Sequence, residues 1–548
     1  MWIIYFTRSS TPERGIVFRR ESESGERFPS RRIVNSQRSL TVKENPVSEY
    51  LSRTDPESVN SSFLAWLASL SQVAQVAPSV AASIVSELAD QRTNLKLIAS
   101  ENYCSLATQA AMGNLLTDKY AEGIPMHRFY AGCGNVDEIE SYAADRACKL
   151  FGAEHAYVQP HSGADANMIA YWAILSARVE TPALQRLGQS NPSKLSAEQW
   201  QGLRAELHNQ RLLGMDYYSG GHLTHGYRHN VSAQMFDAHT YGVSSSTGLI
   251  DYDELAEQAK QLKPLVLLAG YSAYPRKINF ARMRKIADSV GAVFMVDMAH
   301  FAGLVAGGVF TGDYDPVAHA HMVTTTTHKT LRGPRGGLIL CTGEFAEHVD
   351  KGCPMVIGGP LPHVMAAKAV ALTEAGDDEF RTYAARIVEN AALLADACMK
   401  EGMDVATGGT DNHLMLIDVR SFGLTGRQAE SAVRECGITL NRNSLPGDPN
   451  GPWYTSGLRI GTPAATTLGM GVEEMKEIAS VLKLVLSRTE AQTIQSGEKA
   501  GQKSKARYTI EPKSLQEARS RITALLEKHP LYPELDLEFL RKHFERNA

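Results

Sequence analysis

Val323-Thr-Thr-Thr-Thr327-His328-Lys329-Thr330 is the stretch from which the reading of this chain starts. One Val and four Thr make a β-branched run that favours a half-buried or buried strand. The run stops at a His-Lys pair, and Gly333-Pro-Arg335-Gly336-Gly337 then forces a turn. On either side, Ala156–Val158, Leu265–Leu268, Val293–Val296 and Leu338–Leu340 read as short buried strands, and Met283–Val290 as a helix between two of them. Strands alternating with helices predict a doubly wound α/β domain with a mainly parallel sheet.

Further out the texture changes. Leu64, Leu67, Leu70 and Val73 recur every third residue and predict one buried face of a helix beginning near Ser61. Asp137 is a candidate cap for a second helix, with Ile139, Tyr142, Ala143, Ala147 and Leu150 facing inward and Gly152 ending it. Beyond about residue 376, a helix over Asp378–Glu401, a strand over Leu414–Val419 and a helix over Gly426–Cys436 predict a smaller C-terminal α+β domain. The expected division is a disordered extension over 1–58, a helical arm with the large domain over 59–376, and the small domain over 377–548. Segments 179–209 and 492–505, rich in polar residues, are expected to be inserted surface excursions.

Composition narrows the class. The chain has 548 residues, 43% hydrophobic and 21% charged, with a formal net charge of −4, so its overall balance does not advertise nucleic-acid or membrane binding. No run reaches the roughly 18 apolar residues of a membrane-spanning helix. Seven cysteines are scattered without a Cys-x-x-Cys pair, which argues against a disulfide framework or zinc site and for a cytoplasmic setting. Through Lys43 the chain carries eight Arg and one Lys against four Glu. That segment reads as a disordered tail or an unused upstream start; a transit peptide is the alternative, against which the four Glu count.

A lysine at a strand end can form a Schiff base with an aldehyde cofactor, although a lone Lys is more often a solvated surface residue. Four neighbours change that balance. Asp297 ends the apolar run Val293-Phe-Met-Val296, where a carboxylate can keep a cofactor's ring nitrogen protonated. His222, in Gly220-Gly221-His222-Leu223-Thr224-His225-Gly226, can lie flat against an aromatic ring. Metal binding by His222 and His225 is the competing reading, but no acidic or Cys partner lies at ligand spacing, so no metal is expected. The turn Gln159-Pro-His161-Ser162-Gly163-Ala164-Asp165-Ala166-Asn167 can present backbone N–H groups and a hydroxyl to a phosphate, ahead of a helix starting near Asn167. Arg459, in Ser456-Gly-Leu-Arg459-Ile-Gly-Thr-Pro463, suits bidentate capture of an amino acid's carboxylate, with a structural salt bridge equally open. Aldehyde, ring nitrogen and phosphate together describe pyridoxal phosphate.

These segments resemble the serine (glycine) hydroxymethyltransferase family. The matching motifs are Leu97-Ile-Ala-Ser100-Glu-Asn102, Lys119-Tyr120-Ala-Glu122-Gly123, Val296-Asp297-Met-Ala-His300, Thr327-His328-Lys329, Gly408-Gly-Thr-Asp-Asn-His413 and the Arg459 segment, in order from roughly Asn94 to Gly471. The resemblance implies an aspartate-aminotransferase type of fold with a seven-stranded large-domain sheet, and a homodimer or dimer of dimers with shared sites. It implies reversible transfer of the serine hydroxymethyl carbon to tetrahydrofolate, giving glycine and 5,10-methylenetetrahydrofolate. By that likeness Lys329 forms the internal aldimine, Asp297 pairs with the pyridinium nitrogen and His222 stacks on the ring. Ser272, His300 and His328 sit by the cofactor. Ser162 and Gly163 contact its phosphate, with Gly359 from the partner subunit. Ser100 and Arg459 hold the substrate carboxylate, while Tyr120, Glu122 and Tyr130 reach in from the partner. Glu122, Tyr130 and His300 join Lys329 as catalytic groups, and Tyr217, Leu223 and Asn443 line the folate pocket.

The chain departs from the family pattern in places. Phe129 replaces the first of two adjacent tyrosines, Ala164 stands where a phosphate-binding hydroxyl is usual, and Tyr217 replaces a leucine. The glycine-rich loop before Pro360 is shortened to Met355-Val-Ile-Gly358-Gly359. These changes touch folate affinity more than amino-acid chemistry, so a folate-independent aldolase or racemase acting on small amino acids is the alternative. A non-catalytic relative would lose Lys329 or its partners, and none is lost.

Overall fold

The structure, a computed structural model, describes residues 45–545. The expectations for residues 1–44 lie outside the described residues.

Seven strands form the main sheet: β1 (His155–Tyr157), β2 (Arg211–Met215), β3 (Asp237–Tyr241), β4 (Val266–Gly270), β5 (Val293–Asp297), β6 (Met322–Thr326) and β7 (Gly337–Cys341). Their spatial order is β1-β7-β6-β5-β4-β2-β3, and only β7 runs against the rest. The fold is thus mixed α/β with a mostly parallel sheet. Alternation along β5 shows why both faces are covered: Phe294 and Val296 pack into one apolar cluster, Val293 and Met295 into another. A strand buried on both faces must read as a continuous apolar run, which is how β4, β5 and β7 could be found in the sequence. β2 and β3 escaped because Arg211-Leu-Leu-Gly-Met215 is interrupted and the edge strand Asp237-Ala-His-Thr-Tyr241 is mostly polar.

A second, antiparallel sheet comprises β8 (Asp404–Val405), β9 (Leu414–Asp418), β10 (Asn441–Asn443) and β11 (Gly457–Gly461), in the order β8-β9-β11-β10. Helices Asp378–Lys400, Gly426–Glu435, Val472–Ser487 and Pro512–Lys528 close around it on a separate apolar cluster. Leu95–Lys96 pairs in parallel with Ile438–Thr439, which carries the N-terminal motif across to this unit.

Several expectations need correction. Residues 45–58 are not a disordered extension: Asn45 caps the helix Pro46–Arg53, and the Tyr50 ring meets Phe63 at 4.9 Å and Phe539 at 6.2 Å. Asp137 caps nothing. The helix runs Gly134–Phe151, and Asp137 in its first turn pairs instead with Arg128 at 2.8 Å; Tyr142 on this helix is exposed. Gly152 does end it, in the left-handed conformation a glycine supplies without strain. The 179–209 segment lies at the surface but is largely helical, over Thr181–Arg186 and Ala197–His208, anchored by buried Ala183, Leu184 and Leu203. The 492–505 segment takes in the turn, 494–502, and the adjoining strand ends of a hairpin between β12 (Thr489–Thr493) and β13 (Lys503–Ile510).

Candidate active site

The carboxyl ends of β4, β5 and β6 open toward β10 and β11, and a cavity of about 620 Å³ lies between the two sheets. Its walls include Ser100, Tyr217, His222, Leu223, Ser272, His300, His328, Lys329, Asn443 and Arg459, all anticipated from sequence. Glu101, Arg335 and Asn441 join them without having been singled out.

Lys329 is placed by the backbone around it. Asn102 donates to the Lys329 carbonyl at 2.9 Å, Thr330 Oγ1 donates to the His300 carbonyl at 2.9 Å, and the Thr327 amide and carbonyl pair with Gly336 and Gly333. This explains Ser100-Glu-Asn102: the asparagine holds the lysine while Ser100 faces the cavity. Burial pushes the Lys329 amine down to about 8, with the Asp297 carboxylate opposing and Arg459 and Arg335 assisting. A buried amine with a lowered pKa is a competent nucleophile near neutrality.

Asp297 is the most elaborately held group. Its Oδ1 accepts from the Ala299 amide at 3.0 Å; its Oδ2 accepts from Asn167 Nδ2 at 2.9 Å and from His225 Nε2 at 3.2 Å. His225 can donate there because its Nδ1 accepts from the His222 amide. Asn167 also donates to Thr224 Oγ1 at 2.8 Å and accepts from Thr324 Oγ1 at 2.6 Å, while Thr224 meets His222 Nδ1 at 2.7 Å. Burial by itself would raise the Asp297 carboxyl, but the hydrogen bonds from His225 and Asn167 and the electrostatic pull of the two imidazoles outweigh it, and the group sits well below the usual range. It therefore stays a carboxylate, as a partner for a protonated ring nitrogen must.

His222, His225 and Asp297 also lie close enough to one another to hold a metal ion. Sequence spacing missed this acidic partner because Asp297 arrives from another strand. His222 Nδ1, His225 Nε2 and Asp297 Oδ2 already have hydrogen-bond partners, so the trio works as a carboxylate-orienting network.

Burial drives His222 down to about 4 and His328 down to about 3. His300 Nδ1 lies 3.1 Å from His413 Nε2, and burial holds His300 well below its ordinary value and His413 at about 3, so neutral rings surround the lysine. Arg459 donates from Nη1 to the Ser272 carbonyl at 2.8 Å and from Nη2 to Asn441 Oδ1 at 2.7 Å; its Nε is buried without a partner. No carboxylate faces it within ion-pair distance among the described residues, which answers the salt-bridge alternative. Gly461, two residues on, lets Ser100 approach: a Cβ there would stand 2.4 Å from the Ala99 Cα.

The phosphate turn differs in detail from expectation. The helix begins at Gly163, not near Asn167, with Ser162 as its N-cap accepting from the Asp165 amide at 3.1 Å. A Cβ on Gly163 would lie 2.6 Å from Thr326 Cγ2, so the helix start is pressed against the end of β6. Tyr120, Glu122, Tyr130 and Gly359 are not in this cavity. They form a separate surface cluster: Tyr120 and Tyr130 rings are 4.7 Å apart, the Tyr120 hydroxyl donates to Glu122 at 3.2 Å, and Gly359 abuts the Tyr120 ring.

Sequence reasoning passed over Asn167, His225 and His413 as site residues. Asn167 stands one helical turn beyond Gly163 and His225 three residues beyond His222, while His413 ends the Gly408–His413 motif; each stood in a quoted stretch without being given a role in the site.

A nucleophilic amine, a fixed carboxylate, neutral rings, an unpaired guanidinium N–H and a helix start pressed on a strand end fit an aldehyde bearing a ring nitrogen and a phosphate. The class this defines is the pyridoxal-phosphate enzymes of amino-acid metabolism. The profile described as serine hydroxymethyltransferase matches residues 73–186 and 196–482. The chain belongs to the serine hydroxymethyltransferase family. It is 62% identical over 506 residues to a serine hydroxymethyltransferase of Treponema pallidum, covering 92% of this chain and 87% of that protein. It is 58% identical over 478 residues to one from Salinispora tropica (87% and 99% covered), and 57% identical over 473 residues to one from Mycolicibacterium smegmatis (86% and 95%). No helix among the described residues is long and apolar enough to cross a membrane.

Proposed function

We propose that this chain reversibly transfers the serine hydroxymethyl carbon to tetrahydrofolate, giving glycine and 5,10-methylenetetrahydrofolate. The observation that carries the reading is that Lys329 and Arg459 line one cavity together with Tyr217, Leu223 and Asn443, the groups expected to meet the folate. High identity to transferases over most of the chain favours this over the folate-independent aldolase or racemase.

Bound pyridoxal phosphate supplies the electron sink for the carbanion left when the serine Cα–Cβ bond breaks. Lys329 is the amine that holds it covalently, and Asp297 keeps its ring nitrogen protonated. His222 would stack on its ring, and Ser272, His300 and His328 would border it. Ser162 and Gly163 receive the phosphate, with Gly359 contributed by a second subunit. Arg459 and Ser100 hold the amino-acid carboxylate, which sets the angle of the breaking bond. Glu122, with Tyr120 and Tyr130, serves proton transfer in the partner's site. Exposed Met126, Phe129 and Met355 near that cluster support a homodimer or dimer of dimers in which the patch is covered. The unit around β8–β11 acts as the smaller C-terminal α+β domain, from residue 377 on. We place the enzyme in the cytoplasm, where its seven free thiols stay reduced.

The test is an absorbance titration of the purified protein with glycine, then tetrahydrofolate. A long-wavelength band that grows only when both are present supports the transfer. A response to glycine that folate leaves unchanged overturns it.

A further inference from the structure

Lys368 is a charged side chain for which the reaction has no use. It sits on the helix Pro362–Glu374, is 1% exposed, and among the described residues has no carboxylate within ion-pair distance. Its Nζ donates to the carbonyls of Val158 at 2.6 Å, Pro160 at 2.8 Å and Gly337 at 2.8 Å. Three donations use all three ammonium protons, so the geometry requires the charged form even though burial pushes the amine down to about 7 against the opposing charges of Glu140 and Asp165.

A bare ammonium is costly to bury, and full satisfaction by carbonyls is the condition for tolerating it. What these carbonyls have in common is their place. Val158 and Pro160 lead into the turn that ends at the Ser162 cap, and Gly337 begins β7, whose amide donates to the same Pro160 carbonyl at 3.0 Å. A trans peptide unit is planar with its C=O and N–H opposed. Fixing the Val158 and Pro160 carbonyls toward Lys368 therefore turns the Gln159 and His161 N–H groups the other way. The neighbouring side chain is fixed too: Gln159 donates to the Gly123 carbonyl and to Glu140.

We infer that Lys368 is a positioning residue for the cofactor phosphate, its ammonium setting the backbone of the Val158–Ser162 turn from behind. This rests on the pyridoxal-phosphate reading above. Lys368 does not line the cavity, and its ammonium is spent on the three carbonyls.

The experiment uses Lys368→Met, which keeps an unbranched apolar stem, and Gly336→Ala, whose new Cβ would stand 2.4 Å from Lys368 Cε and displace the ammonium without removing it. Pyridoxal phosphate is removed from each protein and its dissociation constant is measured on re-addition, with melting temperatures of both forms. Leaving buried carbonyls unpartnered is worth at least about a tenfold loss of affinity if the turn relaxes. The expected result is that loss, with a smaller gap between the melting temperatures with and without cofactor, and, for Lys368→Met, an unchanged KM for serine at saturating cofactor. A dissociation constant within twofold of the parent's in both variants, with melting lowered equally in both forms, would assign Lys368 to general stability and refute the inference. Should Lys368→Met fail to fold, Gly336→Ala decides by the same criterion. Failure of the parent itself to bind the cofactor would overturn the functional reading instead.

Discussion

Replacing Arg459 by alanine tests the substrate end of the site, and the structure sets the size of the effect. Of the five guanidinium N–H groups, one on Nη1 and one on Nη2 are committed to Ser272 and Asn441, while Nε–H is buried and unpaired. Three N–H groups are therefore free, enough for a bidentate grip on a carboxylate. Each charge-assisted bond contributes about 1.5–3 kcal/mol, so the pair accounts for about 3–6 kcal/mol. Water entering the vacated cavity recovers part of this, so the lower end is the safer expectation: about 100-fold weaker glycine binding at about 1.4 kcal/mol per decade. The assay is a spectral titration of the cofactor-loaded variant with glycine, with cofactor content measured in parallel. Content should stay near that of the parent, since Lys329, Asp297 and the Ser162 turn, and not Arg459, are the groups assigned to the cofactor. Glycine affinity reduced less than about fivefold would mean that the carboxylate is held elsewhere.

Two further outcomes follow from groups around the cofactor. In cofactor-free protein Lys329 titrates near 8 in the folded chain against 10.5 unfolded. Below about 8 the amine is charged in both states and its burial cost is present in full; between 8 and 10.5 only the unfolded chain holds the proton, so stability should rise with pH across that window. Denaturant unfolding at several pH values, with Lys329→Met as reference, should show a gain on the order of 3 kcal/mol that the variant lacks; parallel pH profiles would refute it. For Asp297 stability again rises with pH, but at the acid end: a lowered carboxyl stabilises above its unfolded value and loses that contribution as pH falls through the folded one. Asn167→Leu removes one of the bonds that lower it, so acid unfolding should begin at higher pH and turnover should fall by about tenfold or more. An unmoved acid transition and parent-like kcat would show that His225 and the Ala299 amide suffice.

The sequence by itself determined the local chemistry. Val323–Thr327 had to be extended because β-branched residues crowd a helix, and a His-Lys pair before a Gly-Pro turn could only mark that strand's end. β4, β5 and β7 were legible for the same reason, since burial on both faces writes itself as an unbroken apolar run. Asp297, His222, Ser272, His300 and Arg459 could be placed near Lys329 through the resemblance to the family, all but Ser272 standing in motifs quoted from the chain itself. Tertiary structure alone decided how those groups are held. Asn167 meets Asp297 across 130 positions, and Lys368 reaches Val158 across 210. Such contacts leave no periodicity in either segment. Asp137 looked like a cap because a carboxylate before an apolar run satisfies helix N–H groups, but Arg128, itself buried, needed it more. The fold also separated the Tyr120–Glu122–Tyr130 cluster from the lysine's cavity, because Arg128 pins the Ala121 and Gly123 carbonyls to the start of the Gly134–Phe151 helix. A motif names the side chain; only the packing of distant segments fixes which groups surround it, and with them its charge.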